Sequence, residues 1–216
     1  MGKTNSQLSG GATVGYNWED LTAMTLGGTP AYPTTPYEIT IPPKITSISG
    51  LFFNNANIWR QMNVVINNTG SDITDISAAF RRNDWTDREI TINFDTSKIT
   101  NWSEMFTRAG ASLSPMNVIV NGVMDFSSAT NIGNMFATWG FHTTKQTHFV
   151  LAQNSLSLSA DWSNVNFDDV SLNSIVAGLK DLTGGTAQIL TLNSNVSARL
   201  TAEQIATITA KNWTLA

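Results

Sequence analysis

The sequence predicts an α/β solenoid, in which short units of strand, loop and helical turn stack on one another. The first observation is a phrase of the form apolar-Thr-polar-apolar that is followed, after three further residues, by Phe. Its four copies are Ile45–Ile48 with Phe52, Ile73–Ile76 with Phe80, Ile99–Trp102 with Phe106, and Ala129–Ile132 with Phe136. The closing phenylalanines lie 28, 26 and 30 residues apart. Such a period is typical of repeat proteins in which each unit buries its apolar face against the next.

The second observation is a set of short apolar stretches that predict β-strands. They are 37–41, 62–66, 89–93, 117–120, 148–151, 188–192 and 212–215. We expect stacking to align all of them in one parallel sheet. Alternation assigns one row of side chains to the core: Ile39, Ile41, Val64, Ile66, Ile90, Ile92, Val118, Val120, Phe149, Leu151, Leu190, Leu192, Trp213 and Leu215. A register shift of one residue would exchange this row with the outward one.

The remaining elements are helical in pattern. Ile73, Ile76 and Phe80 are spaced i, i+3, i+7, so each phrase predicts a short helix or helical turn on the side opposite the strands. Near the C-terminus, an apolar stripe from Leu172 to Leu182 predicts a longer helix that ends at Gly184–Gly185.

A second C-terminal helix is predicted by its start signal. Thr201 and Gln204 have the spacing of a capping box, and Leu200 and Ile205 are placed for a hydrophobic staple. We expect residues 168–216 to form a cap at the end of the solenoid.

Residues 1–36 differ from the rest in their glycines and prolines. They predict an extended N-terminal arm or cap that docks on a neighbour, with Tyr16 and Trp18 as assembly residues. The alternative is a flexible tail, although such tails rarely carry this many large apolar residues.

Composition narrows the classes of function. Charged residues make up 13% of the chain, the net charge is −4 and there is no cysteine. An acidic chain is a poor candidate for nucleic-acid binding that depends on phosphate neutralisation. The sequence has no stretch that predicts a transmembrane helix. The N-terminus lacks the apolar core of a secretory signal. It indicates a chain kept inside a cell, assembled into a particle there, or trimmed from a precursor.

The stretch from Phe94 to Phe106 resembles BspA-type leucine-rich repeats, which carry a recurring DTS-apolar-Thr-apolar-Met-Phe phrase in bacterial surface proteins. Residues 125–136 are a second copy. The copies at Ile45 and Ile73 depart from it, with Leu51 and Ala79 in place of the Met. The resemblance implies a leucine-rich-repeat-like solenoid over residues 37–216, with parallel strands on one side and helical turns on the other.

The C-terminal stretch, residues 179–216, is similar to the endings of repeat proteins encoded by bacteriophages and prophages of gut bacteria. Those proteins resemble virion components, often tail-associated or fibre-like. The resemblance implies a non-enzymatic virion protein of a tail fibre, baseplate or head decoration, assembled in the host cytoplasm and then extracellular. Its partners would be other virion proteins or itself, as a homotrimer, and a host surface protein or glycan. A bacterial cell-surface adhesin module and a glycan-active depolymerase are the alternatives.

Candidate catalytic residues are few. His142 and His148 lie near the fourth phrase, but no cysteine or clustered carboxylate is close enough in sequence to complete a metal site. Asp168 and Asp169 precede the predicted helix, where carboxylates are ordinary capping and dipole partners. Phosphate-loop and hydrolase motifs are missing from the sequence. We therefore expect no enzyme activity, no metal and no cofactor.

Three sets of residues are candidates for binding. Arginines that follow the phrases predict a basic ridge, or else scattered solvated charges: Arg60, Arg81, Arg82, Arg88 and Arg108. Loop tryptophans predict stacking on sugars or an interface, or else caps of the core: Trp59, Trp85 and Trp139. Outward apolar strand residues predict a face covered by another chain: Val65, Ile119, Val150 and Ile189.

Overall fold

The computed structural model describes residues 37–52, 63–68, 70, 72–81, 88–107, 118–138 and 145–216. This part of the chain is a mixed α/β structure with few helices. Five parallel strands form one sheet in chain order: β1 Tyr37–Ile41, β2 Val64–Asn68, β3 Arg88–Asn93, β4 Val118–Met124 and β5 His148–Leu151. Three more form a second parallel sheet: β6 Ala160–Trp162, β7 Gln188–Leu192 and β8 Trp213–Leu215. The helices are α1 Asp169–Gly178, α2 Ser194–Ser197 and α3 Ala202–Ala210.

The core row of side chains is as the alternation predicts. Val64 lies opposite Ile90, Ile90 opposite Val120, and Val120 opposite Phe149, so one apolar column crosses four strands. Every residue of the predicted row is buried except Leu215, which is partly buried against the same core. The register prediction is therefore confirmed for both sheets.

The prediction of one seven-stranded sheet is wrong. The strands at 188–192 and 212–215 belong to the second sheet, which starts with β6, a strand that the sequence pattern did not predict. The physical reason is α1, which packs against β5 where a sixth strand would otherwise pair.

Two serines of α1 hydrogen-bond to the backbone of β5. The Ser171 hydroxyl accepts from the Phe149 N–H at 2.8 Å and is fully buried. The Ser174 hydroxyl accepts from the Leu151 N–H at 3.3 Å, and its hydrogen is shared between the Ser171 carbonyl at 2.8 Å and the Phe149 carbonyl at 3.3 Å. These side chains replace the bonds of a neighbouring strand, so the backbone groups at this edge are satisfied without one.

The repeated phrases begin as rungs of a parallel ladder and close in turns that contain a left-handed residue, so the prediction of a short helix or helical turn for them is wrong. In three successive units a threonine donates its N–H and its hydroxyl to the carbonyl of the preceding unit's threonine. Thr74 bonds Thr46 at 2.8 and 3.2 Å, Thr100 bonds Thr74 at 2.8 and 3.1 Å, and Thr130 bonds Thr100 at 2.8 and 3.2 Å. The next residues pair in the same way: Ser47 with Asp75, Asp75 with Asn101, and Asn101 with Asn131. Bonds between units thus join the first halves of the phrases, while each phrase closes with a turn bond of its own, such as the Ala79 N–H to the Ile76 carbonyl at 3.3 Å.

The closing phenylalanines of the four phrases form a continuous stack. Ring centroids are 5.3 Å apart for Phe52 and Phe80, 5.5 Å for Phe80 and Phe106, and 5.3 Å for Phe106 and Phe136. All four rings are buried. The spacing of the phrases therefore aligns one aromatic ring from each unit along the core.

The residue two positions before each phenylalanine has a left-handed backbone. Its φ is 65° at Gly50, 52° at Ala78, 57° at Glu104 and 57° at Asn134. Only the first unit has glycine, the residue that adopts this conformation without a Cβ penalty.

We expect Ala78→Gly to raise the free energy of unfolding by about 0.5–1 kcal/mol, since removing Cβ relieves left-handed strain by more than the added chain entropy costs. The matched change Gly50→Ala should lower it by a similar amount. Urea unfolding followed by circular dichroism measures both. A destabilised Ala78→Gly variant would contradict the assigned strain.

The C-terminal helices begin as predicted but α1 ends early. Asp168 caps α1, and the capping box of Thr201 and Gln204 is present at α3. Helix α1 ends at Gly178 because Leu179 is extended and pairs with Leu156, so the prediction of an end at Gly184–Gly185 is wrong. Ile205 is 42% exposed, which leaves it outside the core that buries Leu200.

Candidate functional site

The five-stranded sheet has one side that faces away from the core, here called the outer sheet face. Its members occupy the alternate, unburied strand positions. They are Glu38, Thr40, Val65, Asn67, Glu89, Thr91, Asn93, Ile119, Asn121, Val123, His148 and Val150. This side combines amides, hydroxyls, carboxylates and aliphatic groups.

The aliphatic residues of this face lie mainly on β4 and β5. Val123 lies opposite Val150 and is 56% exposed, and Ile119 lies opposite His148. Val65 is on β2, where Thr91 separates it from the other aliphatic residues. The structure therefore places the predicted Ile119 and Val150 near Val123, which the sequence pattern does not single out. Val65 lies apart from them, and Ile189 lies on β7 of the second sheet.

Amide side chains connect neighbouring strands across the same face. The Asn93 amide donates to the Asn67 side-chain oxygen at 2.8 Å. The Asn121 amide reaches Glu89 and Thr91 at 3.4 Å each, at the long end of hydrogen-bond distances. Asn121 is thus held less firmly than Asn67 and Asn93.

A β-bulge interrupts β4 next to Asn121. The register runs from Val120 opposite Phe149 directly to Val123 opposite Val150, so Asn121 and Gly122 have no opposite residue on β5. Gly122 has a φ of +116°, and a Cβ there would lie 2.6 Å from the Ile92 carbonyl oxygen. Only glycine fits this position without displacing the backbone of β3.

A pocket of about 340 Å³ lies beside this bulge, here called the His148 pocket. It is lined by Ile119, Asn121, Gln146, His148 and Asp168. Strand β4 supplies Ile119 and Asn121, and β5 supplies His148. Asp168 comes from the start of α1. The pocket therefore forms where the sheet edge meets the helix that closes it.

His148 and Asp168 form the central contact of the pocket. His148 Nδ1 lies 2.8 Å from Asp168 Oδ2, and each side chain is 28% exposed. Burial opposes the charged form of Asp168, but the Ser171 hydroxyl and N–H and the histidine together outweigh it and lower the pKa of the carboxyl below 3.8. The carboxylate is consequently charged at neutral pH, and it caps α1 as the sequence predicts.

A pH prediction follows for Asp168→Asn. Because the folded-state pKa lies below 3.8, the carboxylate's stabilisation is fully present above that pH and is lost as pH falls through the lowered value. Asparagine still caps the helix, so we expect a loss of only about 0.5–1 kcal/mol at neutral pH, reduced by solvent screening. Urea unfolding at a series of pH values should show that the difference in free energy of unfolding between the two proteins narrows below pH 3.8. A gap that is constant down to full acid unfolding would contradict the role of the charge.

Most of the other predicted site residues lie outside the described part of the chain. These are Arg60, Arg82, Arg108, Trp59, Trp85, Trp139, His142, Tyr16 and Trp18, together with the side chain of Arg88. Arg81 is described and forms an ion pair with Glu104 of the next unit. The basic ridge and the tryptophan set therefore stay predictions.

The described residues contain neither a cluster of metal ligands nor a membrane-spanning helix. That part of the chain contains no group of three or more His, Cys, Asp or Glu side chains placed to hold a metal ion. Its helices are all too short or too polar to cross a membrane.

No model of a protein family, no curated protein and no solved structure matches this chain. The resemblance to BspA-type repeats and to virion proteins accordingly stays a prediction.

Proposed function

We propose that this chain is a non-enzymatic attachment protein of a bacteriophage virion, in a tail fibre, baseplate or head decoration. It would bind a host surface or neighbouring virion proteins through a leucine-rich-repeat-like solenoid. The observation that carries the proposal is the in-register stacking of successive units, which builds one extended surface from short repeats. The class of protein is supplied by two resemblances. Residues 94–106 and 125–136 resemble BspA-type repeats, and residues 179–216 are similar to the endings of phage-encoded repeat proteins.

The bonds between units support the solenoid. Each phrase bonds the one before it through the same threonine, and the pairing continues from Ser47 to Asn131. The strands of the same units also pair in chain order. Nearest-neighbour contacts of this kind are the defining property of solenoids, whose extended faces bind partners.

The outer sheet face supports binding rather than catalysis. Val123 is more than half exposed beside Val150, a pair of aliphatic groups that a partner could cover. The described lining of the His148 pocket contains one carboxylate, whereas glycoside hydrolysis by the usual mechanism needs two. These features favour attachment over the depolymerase alternative.

A bacterial cell-surface adhesin is the second candidate, because the phrase at Phe94–Phe106 resembles one found in bacterial surface proteins. The two candidates differ in where the chain is found. Mass spectrometry of particles purified from a lysed culture of the encoding strain should detect the chain if it is a virion component. Detection in washed cell envelopes and not in particles would favour the adhesin.

The attachment role is tested by retention of the labelled full chain on intact gut bacteria. We expect retention on a subset of strains and its loss in Val123→Glu, which places a charge at the centre of the aliphatic pair. Ile205→Glu is the control, since Ile205 is also an exposed aliphatic residue but lies on α3. Equal retention of both variants would place attachment elsewhere, and release of reducing sugar from bacterial polysaccharide would favour the depolymerase.

A further inference from the structure

We infer that the His148 pocket is a binding subsite for one neutral sugar residue. The inference rests on the proposed attachment function and adds to it the chemical class of the ligand. The size of the pocket agrees with a small ligand, since 340 Å³ is at the lower end of the range of about 300–1,000 Å³ for ligand pockets.

The bulge in β4 is the first structural argument. A regular strand would continue the pairing of Val120 with Phe149, whereas here Asn121 and Gly122 are inserted into β4 beside the pocket. Bulges of this kind re-aim a side chain at the cost of pairing. The side chain concerned is Asn121, which lines the pocket.

Unused hydrogen-bonding atoms are the second argument. Within the described part of the chain, the Gln146 side chain makes no hydrogen bond and Asn121 donates only two long ones. His148 bonds Asp168 through Nδ1, which leaves Nε2 without a partner among the described residues. The pocket therefore offers amide donors, amide acceptors and one imidazole nitrogen to a ligand.

The charge and shape of the lining indicate a neutral, hydroxyl-rich ligand. Asp168 gives the described lining a negative charge, and the carboxylate of Glu89 lies one strand away from Asn121. An anion would therefore be repelled. Sugar hydroxyls both donate and accept, as do the amides of Asn121 and Gln146. Ile119 supplies an aliphatic surface for the C–H groups of a sugar ring.

The experiment titrates the full chain with glucose, galactose, mannose and N-acetylglucosamine, each alone, and follows binding by saturation-transfer NMR. We expect millimolar binding of at least one sugar, weakened about tenfold in Asn121→Ala and in Gln146→Ala through loss of hydrogen bonds. Asn93→Ala is the matched control, because Asn93 is an amide on the same face but outside the pocket. Circular dichroism verifies that each variant is folded.

The outcomes separate this inference from the proposed function. If no sugar of the four binds, or if Asn93→Ala weakens binding as much as Asn121→Ala, the subsite is overturned. Cell retention that persists in Asn121→Ala would keep the attachment role and remove the pocket from it. Sugar binding that requires Asn121, in a chain that neither attaches to cells nor occurs in virions, would keep the subsite and overturn the proposed function.

Discussion

Phe106→Ala should lower the free energy of unfolding by about 3–5 kcal/mol, the usual cost of removing a buried ring. Phe106 stacks on Phe80 and Phe136 at 5.5 and 5.3 Å and meets Phe149 edge-on at 6.4 Å. The substitution therefore leaves a cavity at the junction of the phenylalanine stack and the five-stranded sheet. Urea unfolding followed by tryptophan fluorescence measures the change.

The control for this prediction is Phe106→Leu, which keeps most of the buried volume. It should cost about 1–2 kcal/mol, because the cavity is smaller although the ring contacts are lost. Equal losses in both variants would show that ring stacking, and not filled volume, is the main contribution of Phe106.

Gly122→Ala should destabilise the protein by about 3 kcal/mol, from left-handed strain and overlap with the backbone together. The added Cβ would lie 2.6 Å from the Ile92 carbonyl, so the bulge must shift or β4 must part from β3. Because Asn121 precedes this glycine, the same change should also disturb the His148 pocket. Amide hydrogen exchange of β3 and β4 would locate the shift.

The variant Gly184→Ala separates the effect of left-handed strain from the effect of overlap with the backbone. Gly184 also has a positive φ, of 80°, but a Cβ there would have no atom within 4 Å. It should cost only the conformational part, about 1 kcal/mol. Equal stability of the two variants would mean that β3 accommodates the methyl group and that the bulge does not depend on glycine.

Seven of the eight strands in the described part of the chain could be predicted from the sequence, with their core positions, since alternation of apolar residues decides which side of a strand is buried. The division into two sheets could not. It depends on Ser171 and Ser174, whose hydroxyls bond the backbone of β5, and a serine on a helix gives no sequence signal for such a contact.

The phrases show how a correct pattern can predict the wrong local structure. Ile73, Ile76 and Phe80 have helical spacing and are all buried, as predicted. The N–H groups of Ile76 and Phe80, however, donate to carbonyls of the next unit. Spacing within one phrase carries no information about bonds to a phrase about thirty residues away, which only repetition reveals.

The site was predicted in part. The sequence singles out His148 and Asp168 as titratable residues, and it predicts the helix-capping role that Asp168 has in the structure. Their proximity depends on α1 packing against β5, which is a tertiary contact. Gln146 and Asn121 are single amides in a chain rich in them, and the one available signal was Gly122, a glycine that follows a strand pattern and marks a bulge.

The closure of β5 by α1 has a consequence for aggregation. An unpaired strand edge is a template on which another chain can add a strand, and long parallel sheets are exposed to this during folding. Here an incoming strand would first have to displace a helix whose Ser171 is fully buried against β5. Resistance to templated misfolding on this side is therefore set by how firmly one short helix docks, so substitutions in α1 could raise aggregation while every strand stays unchanged.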